Sequence, residues 1–490
     1  MKLEKTYIFA LSATLAAFVG FLFLGCESPE KSDGDEDVLD AEEEAEPDTA
    51  DKPLYSSTGK FIKNAAGQTI ILRGINVAHN FLKDIEDEKQ GSAAAAFIDV
   101  SASGFNAVRL PTEWASIEPE LENYNQEYID LVVKHVKLAT DAGLYVMVDM
   151  HQDFFGVGFD GDGAPKYACD SKYYETYQSA DPAFLRYFTD EITACFDAFW
   201  RSDYLQERQR KAALKIAEKI AGNPLVIGFD CINEPFPGST RGEEFDVEYL
   251  AEFHKKFALA LSPVIPGRLF FYEPSLLISA NLQCWMPGPQ GVYEGVFAPH
   301  YYNTSIELNT NYDGNDQSVI DTVTAFDDMA AAMGTPWAFG EMGGKTATPN
   351  LDKYLFVLYK AMDEKMAGTF IWMYSKSNGD FGFLEKTTGR WHPHAKAILR
   401  PAPSVVSGEL LNFAWDYDSL TFTMQWNEDK SLGDSQIILP RWVKEAGFTL
   451  KTDGANAEPT YNAQGDRVVI KGGIGGKRTL ELISKAAFPY

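Results

Sequence analysis

The chain of 490 residues is 45% hydrophobic, 13% aromatic and 23% charged, a balance that suits a folded body and excludes a wholly disordered, collagenous or polytopic membrane chain. Its 43 basic residues face 71 acidic ones, a net charge of −28, so nucleic acid and anionic lipid surfaces are poor partners and a neutral or cationic ligand is expected. The length corresponds to two or three domains at roughly 150 residues each, although one α/β barrel can reach about 250 or more.

At the amino terminus Lys2 and Lys5 precede an apolar run from Tyr7 to Leu24 that ends in Gly25-Cys26, the order of an export signal. The Gly-Cys ending resembles a bacterial lipobox. That resemblance implies a signal peptide over 1–25 and a diacylated Cys26 anchored to a bacterial membrane, at the cell surface or in the periplasm. An uncleaved helix is the competing reading, because about 18 apolar residues just span a bilayer. Either reading puts the body outside the cytoplasmic membrane. Residues 26–52 follow as an acidic linker: between Glu27 and Lys52 there are thirteen acids, two lysines and no aromatic residue. Such a stretch cannot bury enough apolar area to order itself, and like charges extend it. A spacer and an idle solvated leader read alike here.

From Thr69 onward, short apolar runs alternate with amphipathic stretches. The runs are Ile70–Val77, Asn106–Leu110, Leu144–Met150, Leu225–Ile232, Arg268–Tyr272, Gly295–Pro299, Trp337–Gly340 and Gly368–Tyr374. The stretches between them include Glu127–Ala142, Tyr249–Leu261, Val319–Ala332 and Leu351–Lys365. Continuous apolar strands separated by helices imply a parallel sheet covered on both faces, and eight such units make a (β/α)8 TIM barrel over 53–400 the expected α/β fold. A doubly wound open sheet is the alternative, but no strand is followed by a GxGxxG turn. Cys169 and Cys195 flank one long insertion and form the candidate disulfide; Cys231, in an apolar run, reads as a buried hydrophobe. Beyond 401 the runs shorten, alternate and are separated by Gly, Asp and Asn, which predicts a small C-terminal antiparallel β-sandwich over 401–490. Trp415 and Trp426 within it read as core or as sugar platforms.

The ends of the barrel runs are polar: Arg109, His151 with Asp153, Asn233 with Glu234, Glu273, His300 with Tyr302, Glu341, and Trp372. A barrel gathers these ends around one mouth, making an aromatic-walled polar pit suited to a sugar. Glycoside hydrolysis needs two carboxyl groups flanking the anomeric carbon, one protonated and one ionised. Glu234, after the apolar run ending in Ile232-Asn233, has a partly desolvated setting that suits an acid. Glu341 lies in Phe339-Gly340-Glu341-Met342-Gly343-Gly344, where glycines permit close approach.

In order and strand position, Arg109, His151, Asn233-Glu234-Pro235, His300-Tyr301-Tyr302, Glu341 and Trp372 resemble glycoside hydrolase family five, a family of retaining barrel enzymes. The resemblance implies Glu234 as acid/base and Glu341 as nucleophile. It further implies that Asn233 binds the 2-hydroxyl, Tyr302 and Arg109 orient Glu341, His151 and His300 line the pit, and Trp372 floors it. His151-Gln152-Asp153 and the later Phe159-Asp160-Gly161-Asp162-Gly163-Ala164-Pro165 are similar to the endoglycoceramidases. That implies Asp153 as a sugar contact and the glycan–ceramide linkage of a glycolipid as substrate. Phe154, Phe155, Phe236 and Trp285 are candidates for an apolar lipid groove, or for packing of the insertion; Lys83 is a candidate sugar contact. An endo-β-glucanase acting on polysaccharide and a glucosylceramidase-like enzyme acting on single-sugar glycolipids are the alternatives. No metal or organic cofactor is expected, since side chains fill both roles, and nothing in the sequence bears on oligomeric state.

Overall fold

The structure, a computed structural model, describes residues 53–489 apart from 88, 90 and 308–310. The predicted signal peptide, Cys26 and the acidic linker lie outside the described residues. Among those described, no helix is long and apolar enough to cross a membrane.

Eight parallel strands form the centre: Arg73–Asn76, Ala107–Glu113, Tyr145–His151, Val226–Asp230, Leu269–Tyr272, a sixth in two pieces (Gly295–Phe297 and His300–Tyr301), Ala338–Gly343 and Gly368–Trp372. Each pairs with its successor, and the eighth pairs with the first. The sixth meets the seventh through a Phe297–Trp337 bridge and the His300–Glu341 register, so the ring closes as the expected barrel. Pro299 breaks the sixth strand because it has no N–H to give to a ladder. Its carbonyl still accepts the Gly340 N–H at 3.1 Å, which delivers His300 beside Glu341.

Two helices of the ring, Gln126–Asp141 and Asp316–Met333, begin at Asn125 and Asn315, whose side chains accept the Tyr128 and Ser318 amides. Leu351–Lys365 forms as the periodicity implies, while the Tyr249–Leu261 pattern becomes Glu252–Leu261 preceded by a π-helical turn. Inside the ring Ala107, Met147, Ile227, Leu269, Val296, Ala338 and Phe370 pack as a cluster separate from the one beneath the helices. Alternate residues of a strand share a face. The next inward position after Ala107 is therefore Arg109, and after Met147 it is Asp149: the apolar plug ends where the charged layer begins.

The insertion after the third strand is packed by its own rings. Phe155 meets Phe196, Phe196 meets Phe236 and Phe199 meets Trp200 edge-on with centroids 5.1–5.4 Å apart, and Cys169 is joined to Cys195. Phe155 and Phe236 are buried, so they are core and not groove; Phe154 is half-buried and Trp285 stays 39% exposed. Cys231 is free and buried.

The C-terminal region is a sandwich of two antiparallel sheets, and one of them differs in make-up from a module confined to 401–490. Its strand Ala402–Val406 pairs with Thr69–Ile70, so the hairpins preceding the barrel (Tyr55–Ser56, Ile62–Asn64, Thr69–Ile70) extend that sheet. Gly408–Asp416, too close to the junction to stand out in the sequence, is a long strand of the second sheet. Trp415 and Trp426 are buried: the first packs on Trp442 and the second lies under the Arg478 guanidinium, so both are core.

The disulfide closes a loop of 26 residues. Cys169→Ser is expected to lower the unfolding free energy by about 2–4 kcal/mol in urea titration; an unchanged midpoint would show that the aromatic packing alone holds the insertion.

Candidate active site

Arg109, fully buried in the second strand, occupies the centre of the barrel mouth. Nε donates to Asp230 Oδ2 at 2.9 Å, Nη1 to Asn76 Oδ1 at 3.1 Å and Glu341 Oε1 at 2.7 Å, and Nη2 to Asn233 Oδ1 at 2.9 Å and Glu273 Oε1 at 3.1 Å. Asp149 Oδ1 lies 3.1 Å from Nη2. Burial by itself would disfavour the guanidinium charge, but the carboxylates of Asp149, Asp230, Glu341 and Glu273 outweigh it and hold its pKa well above the ordinary value. Burial, and then Glu273, raise the Asp230 pKa, while Arg109 and His300 work to lower it.

Glu341 lies within the seventh strand, not beyond its end, and its side chain is 6% exposed. Besides Arg109, the Tyr302 hydroxyl donates to its Oε2 at 2.9 Å. Burial raises its pKa to about 7; His300 and Arg109 work to lower it, and Glu234 adds to the rise. Glu234 belongs to the turn after the fourth strand, with its side chain 18% exposed to the pit. Its backbone φ is +43°, a left-handed conformation that a non-glycine residue adopts only when its surroundings impose it. Two groups do so: Glu273 Oε2 accepts the Glu234 amide at 2.8 Å, and Gln152 Nε2 donates to the carbonyls of Asn233 and Glu234 at 2.8 and 3.0 Å.

One carboxylate oxygen of Glu234 and one of Glu341 lie within 4.8 Å of each other. That matches the roughly 5–5.5 Å between the carboxyls of a retaining pair, short of the roughly 6.5–9.5 Å that admits a water between an inverting pair. His300 stands between them, Nδ1 at 3.1 Å from Glu234 Oε1 and 3.8 Å from Glu341 Oε2, and Nε2 at 3.0 Å from Glu273 Oε1. Burial would lower His300; Glu273 and Glu341 override it and hold the ring well above its usual pKa.

On the facing wall His151 Nδ1 is 2.7 Å from Asp149 Oδ2, and its ring stacks on Trp372 with centroids 5.6 Å apart and planes 8° from parallel. The peptide after Trp372 is cis. Asp153 Oδ2 lies 3.8 Å from His151 Nε2. Donor atoms of His151, Asp153 and Asp162 come within 4.8 Å of one another, as do those of Asp230, Glu273 and His300 and those of Glu234, His300 and Glu341. Each group includes a histidine whose pKa the neighbouring carboxylates raise against the lowering effect of burial.

The structure thus brings Arg109, His151, Asp153, Asn233, Glu234, His300, Tyr302, Glu341 and Trp372 to one mouth. It does not bring Lys83 there by any contact: that ammonium pairs with Asp87 at 2.6 Å on an exposed helical turn. Sequence reasoning missed Asn76, Asp149 and Asp230 and left Gln152 and Glu273 without a role. Asp149 was within reach, because the period of two puts it on the same face as His151.

Residues 63–378 match the model of the family described as Cellulase (glycosyl hydrolase family 5), and residues 400–479 match that of the glycoside hydrolase family 5 C-terminal domain. The chain is 25% identical over 437 residues to endoglycoceramidase I of Rhodococcus hoagii (strain 103S), covering 84% of each. Its fold is shared with endo-glycoceramidase II from Rhodococcus sp. in two solved structures. The lactosyl-enzyme intermediate gives TM-score 0.73 at 24% identity over 87% of this chain and 100% of that one. The ganglioside GM3 complex gives 0.74 at 23% identity over 88% and 100%.

If the ionised Glu341 is the attacking group, kcat/KM climbs with pH as that carboxyl loses its proton, close to pH 7. Tyr302→Phe removes a donor that favours the ionised form, so the acid limb is expected to move to higher pH. A pH–rate profile of the variant with an unmoved limb, or one displaced to lower pH, would contradict this assignment.

Proposed function

The chain belongs to glycoside hydrolase family 5, and from that membership we propose that it is a retaining β-glycosidase that splits the glycan–ceramide linkage of glycosphingolipids. The observation that carries the chemistry is the separation of the two glutamates, within 4.8 Å oxygen to oxygen. They also occupy unlike surroundings: Glu341 takes two hydrogen bonds that favour its anion, while Glu234 opens to the pit with only His300 on its carboxylate among the described contacts.

The reaction proceeds in two displacements. A Glu341 oxygen forms a bond to the anomeric carbon as the bond to the ceramide oxygen breaks, and Glu234 gives that oxygen its proton. Glu234, now ionised, takes a proton from water, whose oxygen displaces Glu341 from the same carbon, so the β configuration is restored. Arg109 and Tyr302 hold the Glu341 carboxylate in line. The second amide N–H of Asn233, whose other polar contacts are taken by Arg109 and Gln152, is available to the 2-hydroxyl. Trp372, stacked on His151, offers its face to the sugar.

The aglycone is argued from two further points. The relative that matches over 84% of each chain is an endoglycoceramidase, and His151-Gln152-Asp153 resembles the third-strand region of that group. A membrane lipid as substrate also suits a membrane-held enzyme, and we extend the proposal to export and lipid attachment at Cys26, with residues 26–52 as the tether. The support is the Lys2–Cys26 pattern of basic region, apolar core and Gly-Cys end. Cys26→Ala is expected to abolish incorporation of labelled palmitate and to release the enzyme from the membrane fraction; a variant that still incorporates label would refute the attachment site.

Glu341→Gly is expected to lose at least about 10⁴-fold in kcat with an aryl β-lactoside, and azide should restore turnover as an α-glycosyl azide. Glu234→Ala should spare substrates whose leaving group needs no proton and suffer most on natural ones. For the substrate, mass analysis of incubations with intact gangliosides, glucosylceramide and soluble β-glucan decides: oligosaccharide plus ceramide is expected, and cleavage of glucan alone would favour the polysaccharide enzyme.

A further inference from the structure

Asp153 is followed by two bulky residues with left-handed backbone, Phe154 at φ 53° and Phe155 at φ 75°. A Cβ and a ring disfavour that region, so neighbouring groups must impose it. Two side chains do. Gln152 Oε1 accepts the Phe155 amide at 2.9 Å, and the Tyr187 hydroxyl accepts the Phe154 amide at 3.2 Å. The same hydroxyl donates to Asp153 Oδ1 at 3.3 Å. One phenol thereby fixes both the backbone that aims Asp153 and the carboxylate itself.

Tyr187 is well placed to do this. It is 4% exposed and walled by the rings of Phe154, Phe236 and Phe196 at 4.8, 5.2 and 6.2 Å. Its 3-10 turn, Ala183–Phe188, runs directly into the helix Asp190–Trp200 that carries the disulfide-bonded Cys195. Burial and the nearby carboxylates of Asp153 and Glu234 hold the hydroxyl well above its ordinary pKa, so it remains a donor. Asp153, by contrast, keeps 41% of its side chain open to the pit, its amide bonded to the Asp162 carbonyl at 3.0 Å. The carboxylate is exposed where a ligand can reach it and anchored from behind by the insertion.

We propose that Tyr187 is a positioning residue: it holds the Asp153 carboxylate in the orientation that grips the sugar next to the scissile bond. This rests on the reading of Asp153 as a sugar contact and of the substrate as a glycolipid.

The test is a double-mutant cycle on 2,4-dinitrophenyl β-lactoside, whose leaving group needs no proton. Loss of a hydrogen bond to a carboxylate predicts that Tyr187→Phe lowers kcat/KM by about tenfold, chiefly through KM. Asp153→Ala is expected to lose more, and the double variant is expected to be no worse than Asp153→Ala alone. The isosteric phenyl ring keeps the packing, and an unchanged thermal midpoint for Tyr187→Phe verifies that. Additive losses in the double variant, a loss confined to kcat, or wild-type behaviour of Tyr187→Phe would each overturn the positioning role. Wild-type behaviour of Asp153→Ala would instead overturn the sugar-contact reading, and a wild-type enzyme inert on the lactoside would overturn the glycolipid reading beneath it.

Discussion

A single guanidinium, withdrawn from water inside a ring of eight strands, organises everything at the mouth of this barrel. Burying an ion of that size costs several kcal/mol unless partners surround it. Arg109 has carboxyl groups from the third, fourth, fifth and seventh strands and amide oxygens from Asn76 and Asn233. The fork geometry matters as much as the charge. A lysine could meet one or two of these oxygens, while the planar five-donor fork reaches partners on opposite sides of the ring. The carboxylates need the cation as much as it needs them, so the layer is stable only when complete.

From that layer the two glutamates take different characters. Glu341 is a member of it, gripped by Arg109 and Tyr302. Glu234 is not: it hangs in a strained turn above the layer, and its position comes from backbone groups captured by Glu273 and Gln152. Glu273 therefore serves both, bonded to Arg109 on one oxygen and to the Glu234 amide on the other. His300 completes the link between the pair, its pKa raised by the carboxylates it touches. Two carboxyl groups close enough to repel one another are held in place by different means: Glu341 through its carboxylate by Arg109 and Tyr302, Glu234 through its backbone by Glu273 and Gln152.

The insertion repeats this logic on the glycan side. Aromatic packing and one disulfide hold it together, and Tyr187 ties it to the third strand's end, donating to the Asp153 carboxylate and accepting the Phe154 amide. Gln152 sits at the crossing point, accepting the Phe155 amide and donating to the carbonyls before and at Glu234. Sugar binding and acid catalysis thus share one support, residue by residue along the third strand's end.

The order of strands and helices and the polar residues at the strand ends were legible in the primary structure, because burial on two faces leaves continuous apolar runs and the mouth interrupts them with charge. The family pattern of Glu234 and Glu341 was legible for the same reason: each sits at a fixed offset from an apolar run. Gln152, Asp230 and Glu273 were not legible as supports, since their partners lie on neighbouring or opposite strands and no spacing along the chain encodes such a meeting. The same holds for the strands before the barrel, which join Ala402–Val406 more than 300 residues later. The chain by itself determined which side chains face inward, through the period of the strand. Only closure of the ring decided which of them touch, because contact across it depends on the register of eight strands at once.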